Sequence, residues 1–77
     1  MNEKYQYIAT DAVIPSTCLL SNFITVHSGG ELGSGVKIGA MTTVEQGVVI
    51  GENSIIESHC CIAEGVRIGS NVRMGLN

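Results

Sequence analysis

The stretch Ile50-Gly51-Glu52-Asn53-Ser54-Ile55, followed by Ile56-Glu57-Ser58-His59-Cys60-Cys61 and Ile62-Ala63-Glu64-Gly65-Val66-Arg67, begins again on an aliphatic residue at every sixth position. Followed outward in both directions, the spacing runs unbroken through Ile8, Ile14, Leu20, Val26, Leu32, Ile38, Val44, Ile50, Ile56, Ile62, Ile68 and Met74. A period of six fits neither the 3.6 of a helix face nor the alternation of a half-buried strand, so the chain must turn a corner once per repeat. Short strands joined by corners and wound into a coil are predicted, with no helix.

The rest of each repeat says how the corner is made. Four residues after the aliphatic comes a mostly small or β-branched residue, such as Ala12, Cys18, Gly30, Val36, Thr42, Ser54, Cys60 or Val66. It lies two positions before the next aliphatic, so strand alternation points both inward. Three residues after the aliphatic come Asp11, Gly29, Gly35, Gly47, Asn53, Gly65, Asn71 and Asn77. These residue types tolerate the positive φ that a tight corner needs.

The pattern of an aliphatic residue, then Gly, Ala, Glu or Asp, two variable positions and a small residue resembles the hexapeptide-repeat family, over residues 8–77. The resemblance implies a left-handed parallel β-helix of triangular section, with three hexads per coil and about four coils; the usual handedness of parallel crossovers would give the opposite hand. Residues 1–7 read as a lead-in or cap and 8–77 as the β-helix domain. The repeat stops inside a hexad at Asn77, which reads either as the N-terminal part of a longer protein or as a minimal prism with an open edge that invites stacking. Burying each inward Ile, Val or Leu contributes roughly 1.5–3 kcal/mol, whereas ordering each backbone residue costs about 1–2 kcal/mol. Four coils alone are therefore marginal, and association is expected. The resemblance implies a homotrimer.

Composition narrows the function classes. The 77 residues carry four Lys/Arg against seven Asp/Glu, a net charge of −3, with two Tyr, one Phe and no Trp. Without a basic stripe or a stacking platform, nucleic acid is an unsuitable partner. The polar start and the absence of any long apolar run predict neither a secretion signal nor a membrane span. Cys18 and Cys60 fall at inward positions and Cys61 points outward, so free thiols in a cytoplasmic protein are expected.

Stacking hexads three apart exposes columns that break the corner rule. One corner reads Asp11, Gly29, Gly47, Gly65 and the next Thr17, Gly35, Asn53, Asn71, but the third reads Phe23, Met41, His59. The strand leaving that third corner shows Tyr7, Thr25, Thr43 and Cys61 outward and ends at a corner displaying Ala9, His27, Glu45 and Ala63. A narrow floor between large or polar edges suits a neighbouring subunit, with Phe23 and Met41 as apolar anchors and Thr25, Thr43 and Cys61 along the cleft.

Enzymes of the family resembled here transfer an acyl group from coenzyme A, or from acyl carrier protein, to an amine or hydroxyl of a sugar nucleotide or small metabolite, in the cleft between adjacent prisms. A neutral imidazole commonly acts as the base, which makes His27, beside Glu45, and His59 the candidate catalytic residues and acetyl-coenzyme A or another acyl-coenzyme A the expected co-substrate. The opening most resembles sugar N-acyltransferases, in which a His–Asp pair often follows a Val-Glu-like start. In Ile56-Glu57-Ser58-His59-Cys60, Ser58 stands where that His would be and His59 where the Asp would be. Zinc-dependent members of the family use three His, and this chain has two, so no metal is expected. The alternative to an acyltransferase is a non-catalytic trimeric β-helix that serves as a scaffold or interaction module.

Overall fold

A computed structural model describes residues 5–75. Among the described residues, eleven strands of two or three residues follow one another with no helix between them. They stack into three parallel sheets, which form the faces of a prism. The first face is built by β1 (Gln6–Ile8), β3 (Ile24–Val26), β6 (Thr43–Val44) and β9 (Cys61–Ile62). The second contains β4 (Glu31–Leu32), β7 (Val49–Ile50) and β10 (Arg67–Ile68), extended by a bridge from Val13 to Glu31. The third contains β2 (Leu19–Leu20), β5 (Lys37–Ile38), β8 (Ile55–Ile56) and β11 (Arg73–Met74).

The register is one coil throughout. Thr25 stands over Thr43 and Thr43 over Cys61; Leu19 pairs with Lys37 and Lys37 with Ile55. Each step is three hexads, so the aliphatic sequence period becomes vertical columns of side chains. The predicted all-β solenoid of about four coils is what the chain forms. Its core is the inward columns, with Val26, Leu32, Ile38, Val44, Ile50, Ile56 and Ile62 buried and Ile8, Leu20, Ile68 and Met74 partly covered at the two ends. Inward polar residues bond across coils: Ser54 Oγ donates to Gly69 O at 2.6 Å and accepts from Val72 N at 3.1 Å, and Thr42 Oγ1 donates to Glu57 O at 3.2 Å.

All three corners are left-handed. Gly29, Gly47 and Gly65 turn the first corner, and Gly35, Asn53 and Asn71 the second, all with φ between 59° and 77°. The third is turned by Phe23, Met41 and His59, with φ of 61°, 58° and 63°. Their N–H groups donate to carbonyls one coil below, as in Met41 N to Asn22 O and His59 N to Ala40 O. One expectation fails at Asp11, which does not adopt positive φ. Its carboxylate instead accepts from Ser28 Oγ at 2.7 Å and Gly29 N at 3.3 Å, as Thr17 Oγ1 accepts from Gly35 N at 3.0 Å. At these two corners of the first coil, side chains thus supply the acceptors that backbone carbonyls supply higher up, whereas at the third corner Tyr5 O already accepts from Phe23 N.

Close approach of successive coils also requires residues without a Cβ. A Cβ at Gly51 would lie 2.5 Å from Ser70 N and 2.6 Å from Gly69 C. Here the glycine is needed for space.

Candidate functional site

The first face carries the side chains that sequence reasoning singles out. Thr25 and Thr43 point outward from β3 and β6 and are half-buried, and Cys61 continues their column, exposed. At the corner where this face ends, His27 and Glu45 occupy one column a coil apart, with Nε2 and Oε1 separated by 3.8 Å. That distance is an ion-pair approach and longer than a hydrogen bond. The other carboxylate oxygen of Glu45 lies 3.9 Å from the Cys61 thiol, which donates to it. Tyr7, on the coil below, tilts against the His27 ring with centroids 6.3 Å apart. Glu45 is therefore the centre of the cluster, its two oxygens aimed at different neighbours.

Placement of the carboxylate between His27 and Cys61 governs what the cluster can do. It can orient the imidazole and favour the proton on Nε2, leaving Nδ1 with a lone pair. It cannot bring imidazole and thiol together on one ion, and among the described residues no group of three His, Cys, Asp or Glu side chains is placed to hold a metal. Cys18, Cys60 and Cys61 are all free, with Cys18 Sγ donating to Gly33 O at 3.2 Å inside the coil.

The structure does not bring His59 to this cluster. His59 sits at the opposite edge of the first face, exposed, in the column of Phe23 and Met41. Phe23 is 54 % and Met41 53 % exposed. Bulky residues are genuine outliers at positive φ, and a left-handed backbone costs an L-residue roughly 1–2 kcal/mol. Such strain concentrates where a side chain has work beyond the turn. Tyr5, which the sequence left in the lead-in, stacks on Phe23 with centroids 5.6 Å and planes 12° apart.

Sequence reasoning missed the groove. It is an open depression of about 550 Å³ on the third face beside the Phe23–Met41–His59 corner, floored by Leu19 and Ile55 with Lys37 between them. Ser21, Gly39 and Ser58 form its edge at that corner, and Arg73 closes its upper end, held to Glu57 by an Nε–Oε2 contact of 2.7 Å. Two of the four Lys/Arg residues of an acidic chain meet there. The available signal was the column Leu19, Lys37, Ile55, Arg73; the concavity came from the small residues beside it.

Residues 29–64 match the family described as bacterial transferase hexapeptide (six repeats). The chain is also similar to a UDP-3-O-acylglucosamine N-acyltransferase from Rickettsia canadensis (strain McKiel), with 44% identity over 50 residues. The aligned stretch is 64% of this chain and spans 14% of that relative. No solved structure matches the chain.

Proposed function

We infer from its membership of the hexapeptide-repeat family that this chain forms β-helical coils of an acyltransferase, one that moves an acetyl or other acyl group from an acyl-coenzyme A, or an acyl carrier, to an amine or hydroxyl of a nucleotide-activated sugar or small metabolite. The observation that carries this reading is the His27–Glu45 pair, 3.8 Å apart at the edge of a face floored by Thr25 and Thr43. The N-acyltransferase name of the Rickettsia relative supports a sugar amine as acceptor. The free thiols suit a cytoplasmic setting.

In this reading the acceptor nitrogen attacks the thioester carbonyl carbon while His27 Nδ1 removes its proton. The C–N bond forms as the carbonyl electron pair moves to oxygen. Collapse of that intermediate breaks the C–S bond, and the departing thiolate takes the proton from the imidazolium. Glu45, one coil above, faces Nε2 and orients the ring. His59, away from the cluster, has a contact role. The first face is one wall of the site, and a neighbouring prism in a homotrimer supplies the other.

A non-catalytic scaffold is the second reading. It is favoured by the exposure of the His27 and Glu45 side chains, 44 % and 39 %, which leaves the pair open to water in a single copy. Titration with acetyl-coenzyme A, followed by thermal unfolding, separates the two. A saturable rise in melting temperature that is lost in His27→Ala supports the enzyme; no rise in a folded, associated chain supports the scaffold.

A further inference from the structure

His27 and Glu45 are too exposed to hold one another in place. Their side chains are well over a third accessible and their facing atoms are 3.8 Å apart. An ion pair of that kind gains little against the rotamer freedom that two long side chains give up. Yet a base must present one nitrogen in one direction. We propose that Tyr7 and Cys61 are positioning residues for this pair, Tyr7 walling the imidazole from below and the Cys61 thiol anchoring the carboxylate from above. The inference rests on the reading of His27 as the base, and it supplies the restraint which that reading leaves open.

Three observations carry it. First, the column of the pair offers no support of its own. The backbone N–H groups of Ala9, His27 and Glu45 each donate to the coil above, to Val26 O, Val44 O and Ile62 O, so the main chain is fixed and only side-chain rotation is free. Below His27 in that column stands Ala9 and above Glu45 stands Ala63, both too short to confine a neighbour. Second, the adjoining column places its two ends at the gaps. Tyr7 pairs with Thr25 and Cys61 with Thr43, so each lies one coil beyond the pair and two residues to the side. The Tyr7 ring leans toward His27 with centroids 6.3 Å apart and planes inclined by 53°, within the range of favourable tilted aromatic contacts. Third, the two oxygens of Glu45 are divided between neighbours. Cys61 Sγ donates to Oε2 at 3.9 Å while Oε1 faces His27 Nε2. A thiol is a weak donor, but its large polarisable sulfur also occupies the space that Ala63 leaves beside the carboxylate.

The chemical consequence concerns the other ring nitrogen. With Glu45 held and Nε2 turned to it, the proton stays on Nε2 and the Nδ1 lone pair keeps one direction. Loss of either restraint would free the imidazole to rotate and to exchange the roles of its nitrogens.

Imidazole nitrogen resonances of the chain labelled with 15N-histidine test this, because the separation of Nδ1 and Nε2 in the neutral ring reports how fully the proton resides on one of them. Spectra at about pH 7.5, between the ordinary imidazole value of about 6.5 and the ordinary thiol value of about 8.5, keep most of the ring neutral and most of the thiol protonated. Glu45→Ala sets the separation for a ring without its partner. Cys61→Ala and Tyr7→Ala should each move the His27 separation most of the way to that value while circular dichroism shows the fold intact. Cys61→Ser, which keeps a donor, and Tyr7→Phe, which keeps the ring, should hold the unaltered separation. Cys61→Val and Tyr7→Leu serve where the alanine variants do not fold. An unaltered separation in either the Cys61 or the Tyr7 deletion overturns the proposal, as does a serine or phenylalanine variant that behaves like its alanine counterpart. A Glu45→Ala chain indistinguishable from the unaltered one also overturns it, and counts against the His27–Glu45 pair itself. Separations that move as expected in a chain that does not respond to acetyl-coenzyme A would leave the positioning standing and count against acyl transfer alone.

Discussion

Met41 offers a clean measurement of strain, because two substitutions remove the same side chain and differ in what the backbone prefers. Met41→Ala and Met41→Asn both delete the outer part of a side chain that is 53 % exposed, so both lose little burial. Alanine keeps the full penalty of φ 58°, whereas asparagine adopts that region readily. A left-handed residue costs roughly 1–2 kcal/mol, and asparagine recovers most of it, so Met41→Asn should be more stable than Met41→Ala by about 1 kcal/mol. For a domain of this length that difference is a separation of about 4–8 °C in melting temperature. The comparison belongs at low protein concentration, where association does not add to stability, with circular dichroism following the melt and sedimentation confirming the mass. Equal melting temperatures, or a more stable alanine variant, would refute the argument that the third corner is held against its backbone preference.

Further outcomes follow from other parts of the prism. Ser54→Ala should cost about 1–3 kcal/mol, because it strips a donor from Gly69 O and an acceptor from Val72 N inside the coil; denaturant melts read it directly. Gly51→Ala should cost about 1–3 kcal/mol by overpacking against Ser70, whereas Arg73→Ala, which removes an exposed ion pair, should change stability by less than about 1 kcal/mol. Ile56→Ala, at a residue 1 % exposed, should cost about 2–5 kcal/mol in the same assay. The Asp11 carboxyl is held below its ordinary 3.8 by the Ser28 hydroxyl and then by the Gly29 N–H. Its folded form therefore holds protons less tightly than its unfolded form, so its stabilisation is complete above pH 3.8 and is lost as pH falls through the lower folded value. Urea melts across that range should show a shallower acid limb in Asp11→Asn.

How much was legible follows from what each feature depends on. Columns and core were legible because both are consequences of one period, and a residue such as Ile50 reads as inward from spacing alone. The departure at Phe23, Met41 and His59 was legible as well, since three large residues in a column of glycines and asparagines stand out once hexads are stacked. The His27–Glu45 neighbourhood followed from the same stacking. The role of Asp11 was not legible: asparagine-like tolerance of positive φ and a carboxylate that accepts from the coil above are both consistent with Asp at that position, and only the backbone distinguishes them. Nor was the groove, because Gly39 and Ser58 acquire their meaning from lying beside Leu19 and Ile55, which no sequence spacing displays. Tyr5 lies outside the repeat, so its stacking on Phe23 had no periodic signal to announce it.

The one-coil register has a consequence for how such a chain can change length. Removal or insertion of six residues keeps every aliphatic side chain pointing inward and leaves a foldable prism, yet it carries everything downstream onto the next face. After such a change in the loop following Val26, Glu45 would no longer share a column with His27, and Met41 would leave the line of Phe23. Eighteen residues restore both arrangements. The hydrophobic interior thus counts in sixes while the outer surface counts in eighteens. Inheritance of coil number and inheritance of surface function therefore obey different arithmetic, and a lineage that drifts by one hexad keeps its shape while losing its site.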